Sequence, residues 1–316
     1  MTDNAAAEKT KAGYPSLVVT KYMGSKKAIL PFVAQELERL TKPGDIIVDL
    51  MAGTHTIGYA LKQRCLMVAN DIQRFSRVIG ETLLNYNPEP KFEGPGRDAF
   101  RRFFNVNIRH LNNLFTTGLR QEWAFLNAEP GRRPTWVAYR DFCEEYPYVS
   151  RPTPAKGWPE EFMLLFGARR VNAYRTLNKL EPYSLFSLFY ANSYIGVRQA
   201  VEIDSLRYAI DKTCDQWLPE HEASEIECRR LRCFLLTVLI NVISRINPGP
   251  GHWAAFPRVS QRNRDWLMAQ RSISAYDLFF LRLAEFEREL AKRVSPLGPH
   301  IIMSEDYVNF MAEVHE

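Results

Sequence analysis

The chain has 316 residues, 46% of them hydrophobic, and a formal net charge of +5, enough apolar material for one large core or two moderate ones. No stretch approaches the roughly 18 to 20 uninterrupted apolar residues of a bilayer-spanning helix, and the opening MTDNAAAEKTKAG lacks the charged-then-apolar order of a secretory signal. The expectation is a cytoplasmic protein without membrane association. Five widely spaced cysteines with no C-x-x-C pair, Cys65, Cys143, Cys214, Cys228 and Cys233, argue against a disulfide framework and against zinc; they read as core thiols, and no metal site is assigned.

Residues 1–16 are polar and alanine-rich and predict a disordered arm. SLVVT then predicts a short β-branched strand, and KKAILPFVAQELERL sets Ile29, Leu30, Val33, Leu37 and Leu40 at helical spacing before KPGD stops it. IIVDLMA predicts a buried strand, TIGYALKQR a helix and CLMVANDI a second buried strand. A strand–helix–strand unit of this apolar kind implies a parallel sheet covered on both faces.

From about residue 76 to 298 the pattern becomes helical and loop-rich, with breakers such as YNPEP, EPGRRP and SRPTPAKGWP. Ser224 with Glu227 three residues on spells a capping box, opening a helix through Leu231, Leu235, Val238, Val242 and Ile246 to NPGPG. A second helix starts near Asp277 and carries Leu281, Leu283, Phe286 and Leu290. HIIMSEDYVNFMAEVHE returns to a strand followed by a helix. The predicted division is therefore 17–75 with 299–316 as an incomplete α/β core, and 76–298 as a large helical insert.

Charge is uneven along this chain. Residues 101–175 hold eleven Arg and one Lys against seven Asp plus Glu, which accounts for the whole net charge. Interleaved with Trp123, Trp136, Tyr139, Tyr146, Tyr148 and Trp158, this window has the composition of a phosphate-backbone surface with stacking groups, or of a solvated face with ordinary ion pairs. Arg132, Arg133, Arg169 and Arg170 are the candidate phosphate contacts.

Two turns carry the chemistry. Asp49 ends a strand and is followed by Leu50, Met51, Ala52, Gly53 and Thr54 before a helix, the corner where doubly wound folds present backbone N–H groups to a ligand. About twenty residues further on, Asp71 ends the next strand, where an acid accepts hydrogen bonds from a ribose diol. Together they predict a nucleoside-containing cofactor.

The order KYMGSKKAILP, DLMAGTHTIGYAL, ANDI resembles the alpha-group (Dam-like) adenine-specific DNA methyltransferases, whose Y-x-G-S-K turn, D-x-F-x-G-x-G turn and N-D-I strand end hold S-adenosylmethionine. The resemblance implies a Rossmann-like α/β methyltransferase sheet, here partial, with a mostly helical target-recognition insert and double-stranded DNA as partner. It implies that Tyr22, Gly24, Ser25 and Lys26 lie by the methionyl end of the cofactor, that Asp49, Ala52 and Gly53 shape the turn, and that Asp71 binds the ribose. Asp306, in IIMSEDY, is implied to face the cofactor's adenine. NSYIGVRQAVEIDSLRYAID and PGPGHWAAF look like portions of the insert.

Two departures matter. His55 and Met51 stand where the family has Gly and Phe, so an imidazole is expected at the cofactor approach, either as a polar contact or as a crowding group. No D-P-P-Y-like tetrapeptide occurs in the sequence; the nearest spellings, at Glu181–Ser184 and Asn247–Pro250, read as structural. The chain is therefore expected to act with a second protein subunit that carries that loop. The alternatives are a non-catalytic DNA-binding or scaffolding subunit and a methyltransferase-fold enzyme acting on RNA or a small molecule.

Overall fold

The computed structural model describes residues 13–15, 17–21, 26–89, 91–128, 135–147, 160–167, 172, 180–249 and 258–306. In chain order the elements are α1 (Leu30–Leu40), β1 (Ile46–Asp49), α2 (Thr56–Leu61), β2 (Leu66–Asn70), α3 (Arg74–Gly80), α4 (Gly94–Leu114), α5 (Thr116–Leu126), α6 (Trp136–Glu145), α7 (Glu160–Leu164), α8 (Leu185–Phe189), α9 (Val197–Lys212), α10 (Glu225–Ile246), α11 (Arg264–Arg271), α12 (Ala275–Ala291) and β3 (Ile301–Met303). The described chain is mixed α/β and mostly helical. Its one three-stranded sheet, ordered β1-β2-β3 and parallel throughout, is compatible with part of a Rossmann-like fold.

Two compact units emerge: Met1–Glu93 with Leu218–Asn241 and Leu281–Glu316, and Gly94–Trp217 with Val242–Phe280. This division moves 76–93, 218–241 and 281–298 out of the expected insert and into the unit that holds the sheet. The reason lies in their apolar stripes. Leu83, Phe234, Leu235, Leu283, Phe286 and Leu290 are all buried, and Tyr86 stacks on Phe234 at 4.3 Å between ring centres; a small parallel sheet is stable only under such cover.

In the first unit, Ile46–Asp49 run in register with Leu66–Ala69, and Val68–Asn70 with Ile301–Met303. SLVVT departs from expectation: Leu17–Val19 form no strand. Leu17 and Val19 are buried, and the carbonyls of Val18 and Val19 accept hydrogen bonds from Asn241 Nδ2 at 3.2 and 2.8 Å. A side chain thus satisfies backbone groups that a neighbouring strand would otherwise take. The capping box at the start of α10 is formed as expected, with Ser224 N donating to Glu227 Oε2 at 2.8 Å and Glu227 N to Ser224 Oγ at 3.2 Å.

The second unit is built around α9, whose buried residues include Gln199, Glu202, Asp204, Ser205 and Asp211 alongside its apolar ones. A helix buried all round must place its polar groups on partners. Asp204 accepts from Phe186 N and Ser187 N at the start of α8, Glu202 from Ala275 N and Tyr276 N at the start of α12, and Gln199 Nε2 donates to the carbonyls of Gln270 and Ile273. Glu122 of α5 completes the set, receiving Val197 N and Arg198 N, both at 2.8 Å, at the start of α9. The second unit is therefore a helical body fastened at its helix N-termini by buried carboxyl groups.

Candidate functional site: a cleft at the strand ends

β1 stops at Asp49, and the chain turns through Leu50–His55 before α2. Gly53 has φ 57°, a left-handed value that suits glycine. The turn is braced from β2: Ala52 N donates to Asn70 O at 2.9 Å, and Gly53 N donates to Asp71 Oδ2 at 2.9 Å. Asp71 Oδ1 accepts from Gln73 N at 2.9 Å. One strand-end acid thus orients both the turn before α2 and the start of α3, and each of its oxygens keeps a lone pair for a ligand.

Asn70, one residue earlier, joins β2 to the exit of β3. Its Nδ2 donates to Glu305 O at 3.1 Å and its Oδ1 accepts from Glu305 N at 3.0 Å. On the other side, Lys26 Nζ donates to Met51 O at 2.8 Å and sits 3.3 Å from Asp49 Oδ1, which ties the segment before α1 to the turn.

Between these groups lies a cavity of about 550 Å³ bordered by Lys26, Leu50–Thr54, Thr56, Asn70–Gln73, Glu305 and Asp306. That volume falls in the range of roughly 300–1,000 Å³ typical of small-molecule sites. Of the residues singled out in the sequence, Lys26, Ala52, Gly53, Asp71 and Asp306 meet here, and Asp49 stands behind Lys26 as its counter-charge. Asn70, Gln73 and Glu305 were not singled out; the N-D-I spelling points to Asn70, whereas Glu305 is brought in only by strand pairing. Tyr22, Gly24 and Ser25 lie outside the described residues, as do Arg132, Arg133, Arg169 and Arg170.

His55 stands apart from these residues. The imidazole does not border the cavity and is 1% exposed. The residue adopts φ 55°, and its Nε2 lies 2.9 Å from Ser76 O and 3.1 Å from Ser76 Oγ, while Ser76 Oγ donates to Gly53 O at 2.6 Å. With the Ser76 proton committed to Gly53, Nε2 is the protonated nitrogen, assigned from this network. The ring fills the space opened by Gly80, where a Cβ would come 2.5 Å from His55 Cε1 and 2.9 Å from Ile302 Cγ2. Burial lowers its pKa to about 4. His55 therefore braces the turn from beneath.

The aromatic residues of the basic window also divide. Trp123 is 68% exposed, whereas Tyr139 and Tyr146 are buried. Tyr139 accepts a hydrogen bond from Arg271 inside the second unit at 3.2 Å, so these two tyrosines are core and not a stacking surface. Of the near-spellings of the missing tetrapeptide, Tyr183 is buried with its hydroxyl on Asp211 at 3.1 Å, and Asn247 Oδ1 accepts from Gly249 N; both serve local structure.

No helix among the described residues is long and apolar enough to cross a membrane. Over 93 residues, 29% of its length, the chain is 34% identical to Modification methylase LlaI of Lactococcus lactis subsp. lactis, and the match spans 14% of that protein. Over 73 residues, 23% of its length, it is 32% identical to Modification methylase StsI of Streptococcus sanguinis, spanning 11% of it. The chain thus covers well under two thirds of these relatives. No family model matches, and no solved structure matches. The likeness, partial as it is, is to modification methylases.

Proposed function

We propose that this chain is a subunit of an S-adenosylmethionine-dependent DNA N6-adenine methyltransferase. It contributes the methyl-donor cleft and a DNA-recognition surface, and a second protein subunit contributes the D-P-P-Y-type loop. The observation that carries the reading is the charge of the cleft. Asp71, Glu305 and Asp306 border it, while Lys26 is engaged by Asp49 and the Met51 carbonyl. Such a lining opposes the phosphates of a dinucleotide and suits a nucleoside with free hydroxyls and a positive charge. S-adenosylmethionine fits that description, and when bound it supplies an electrophilic methyl group.

The chain's own residues bind and orient. Asp71, fixed by Gly53 N and Gln73 N, offers two oxygens to a ribose diol. The Lys26–Asp49 pair holds the Met51 carbonyl and the turn in place, and Asp306 reaches the cavity from β3, where it would face the cofactor's adenine. The exocyclic amine of adenine is a weak nucleophile, so transfer needs a flipped base and an acceptor for its protons beside the methyl group. That acceptor is assigned to the partner. In support, β1 is an edge strand of the described sheet, open to pairing with a further strand, and Ile46 and Val48 on one of its faces are 61% and 43% exposed. The similarity to two modification methylases supports the reaction class.

The test is calorimetric titration of the chain with S-adenosylmethionine, followed by radiolabelled methyl transfer to mixed-sequence duplex DNA by the chain alone and with proteins that co-purify from its host. Asp71→Ala is expected to weaken cofactor binding at least tenfold, at about 1.4 kcal/mol per tenfold, and to abolish transfer in the assembled complex. Absence of cofactor binding by the unaltered chain would overturn the reading.

A further inference from the structure

The segment from Ala99 to Gln121 contains no Asp or Glu, and it holds Arg101, Arg102, Arg109 and Arg120. Most of it is helix α4, whose two faces differ sharply. Phe100, Phe104, Asn107, Leu111 and Leu114 are buried, and Asn107 is tied to Tyr183 O and Ser205 Oγ at 3.1 and 3.2 Å. Arg102, Asn105, Arg109 and Asn112 are all exposed. At 3.6 residues per turn these four fall within an arc of about 80°, pointing away from the buried stripe and spanning about 15 Å along the axis.

Their environment leaves these side chains available. Arg101 pairs with Asp98 at 3.6 Å and, like Arg97, lies over the Phe280 ring. Arg102, Asn105, Arg109 and Asn112, by contrast, make no side-chain hydrogen bond or ion pair among the described residues. Asn112 also borders a cavity of about 400 Å³ lined by the exposed Trp123 and by Glu122, Glu202 and Arg198, the last engaged on Ser272 O at 2.6 Å and on Glu202 at 3.7 Å. Among the described residues the four side chains thus stand on one exposed stripe without a partner, in a segment with no carboxyl group to engage them.

We propose that this stripe of α4 reads base pairs in the major groove of duplex DNA, an inference that rests on the DNA-methyltransferase reading above. A helix of about 10–12 Å diameter enters a groove of about 12 Å width. Arg matches the paired acceptors of guanine, and Asn the donor–acceptor pair of adenine. The 15 Å stripe covers about four base-pair steps at 3.4 Å each. Arg102, Asn105, Arg109 and Asn112 are thereby specificity-determining, and the exposed Trp123 flanks the path of the strand beyond the groove.

The experiment is selection of bound sequences from a randomised duplex pool by the full chain, with affinity for the selected site measured across a salt series. Expected is a motif that loses its preference at one position when Arg109 is changed to Ala, with affinity for the selected site falling about 5- to 100-fold. Arg109→Lys, which keeps the charge and loses the planar fork, should relax the motif while leaving the salt dependence in place. Arg120→Ala, exposed on α5 and off the stripe, should leave the motif unchanged.

An unchanged motif in the Arg102, Asn105 and Arg109 variants would overturn the inference and leave the DNA reading standing. A uniform affinity loss with the motif kept would reduce the stripe to phosphate contacts and overturn base readout. Preference of the unaltered chain for single strands or RNA would overturn duplex reading. No binding to any nucleic acid would overturn it together with the DNA part of the proposed function, while the Asp71-dependent titration reports separately on the cofactor part.

Discussion

The two units differ in the ionisable groups that burial shifts and that serve their backbone. In the sheet-bearing unit burial lowers three bases, His55 and His300 to about 4 and Lys62 to about 7 with Arg293 as a secondary cause, and it also raises Tyr59 to about 12 and Cys233 to about 11. In the helical unit the shifted groups include three carboxyl groups, Glu122, Glu202 and Asp204, each raised by burial. The difference follows from what each unit must satisfy. A helix N-terminus presents unpaired N–H donors, so helices α8, α9 and α12 draw in acceptors. The sheet unit instead has carbonyls and a strand N–H to serve. His55 donates to Ser76 O, Lys62 donates to Leu83 O at 2.6 Å, and His300 Nδ1 accepts from Met67 N at 3.0 Å.

The two units also differ in what they show. In the helical unit Glu122, Glu202 and Asp204 are interior, while Arg102 and Arg109 of α4 are exposed. In the sheet unit Asp71, Glu305 and Asp306 border the cleft. The sheet unit thus presents an acidic cleft and the helical unit a basic helix face.

The largest effect that bears on this contrast is expected from Glu122→Ala. It strips two N–H groups at the start of α9 of their acceptor and removes a charge beside the buried Arg271 guanidinium. Leaving buried donors unsatisfied costs on the order of 1–3 kcal/mol for each, and hydrogen exchange should show protection lost across α9 and α11 while β1 and β2 keep theirs. Equal loss in both units would dissolve the distinction drawn here.

Next comes Gly80→Ala. Its Cβ would overlap the His55 ring, and overpacking of this kind costs about 1–3 kcal/mol. The double change Gly80→Ala with His55→Gly should recover part of that loss in a thermal melt, because the ring that blocks the methyl is gone. Additive losses would show that His55 and Gly80 are not coupled.

Much of the sheet unit is legible in the sequence, because its signals are local. IIVD, LMVAN and the glycine turn between them read as strand, turn, helix and strand, and the Ser224–Glu227 box reads as a helix start. The failures come where a partner far along the chain decides. Leu17–Val19 carry strand composition, yet Asn241, more than two hundred residues later, takes their carbonyls. His55 sits at the expected corner, but its direction is set by Ser76 and Gly80. Among the arginines, composition locates the basic window, and only helix phase separates Arg102 and Arg109 from the neighbouring Arg101, which pairs with Asp98.

The smallest expected effect is the most direct test of the contrast, because one change of pH should move the two units in opposite directions. For His55 the folded pKa, about 4, lies below the unfolded value near 6.5. Its stabilisation is full above pH 6.5 and is lost as pH falls through 4, a loss on the order of 2 kcal/mol between pH 7 and 5. His300 adds to it in the same direction, since a proton on Nδ1 would face the Met67 N–H that it now accepts. For Asp204 the folded pKa is raised from 3.8 to about 6. Its stabilisation is present below the unfolded value and lost as pH rises through 6, so the helical unit gains about 1 kcal/mol on going from pH 7 to 5. Hydrogen exchange corrected for intrinsic rates should show β1 and β2 loosening and α8 and α9 tightening over that interval. Asp204→Asn should flatten the second response without touching the first. Parallel responses in both units would show that the buried bases and acids do not govern them separately.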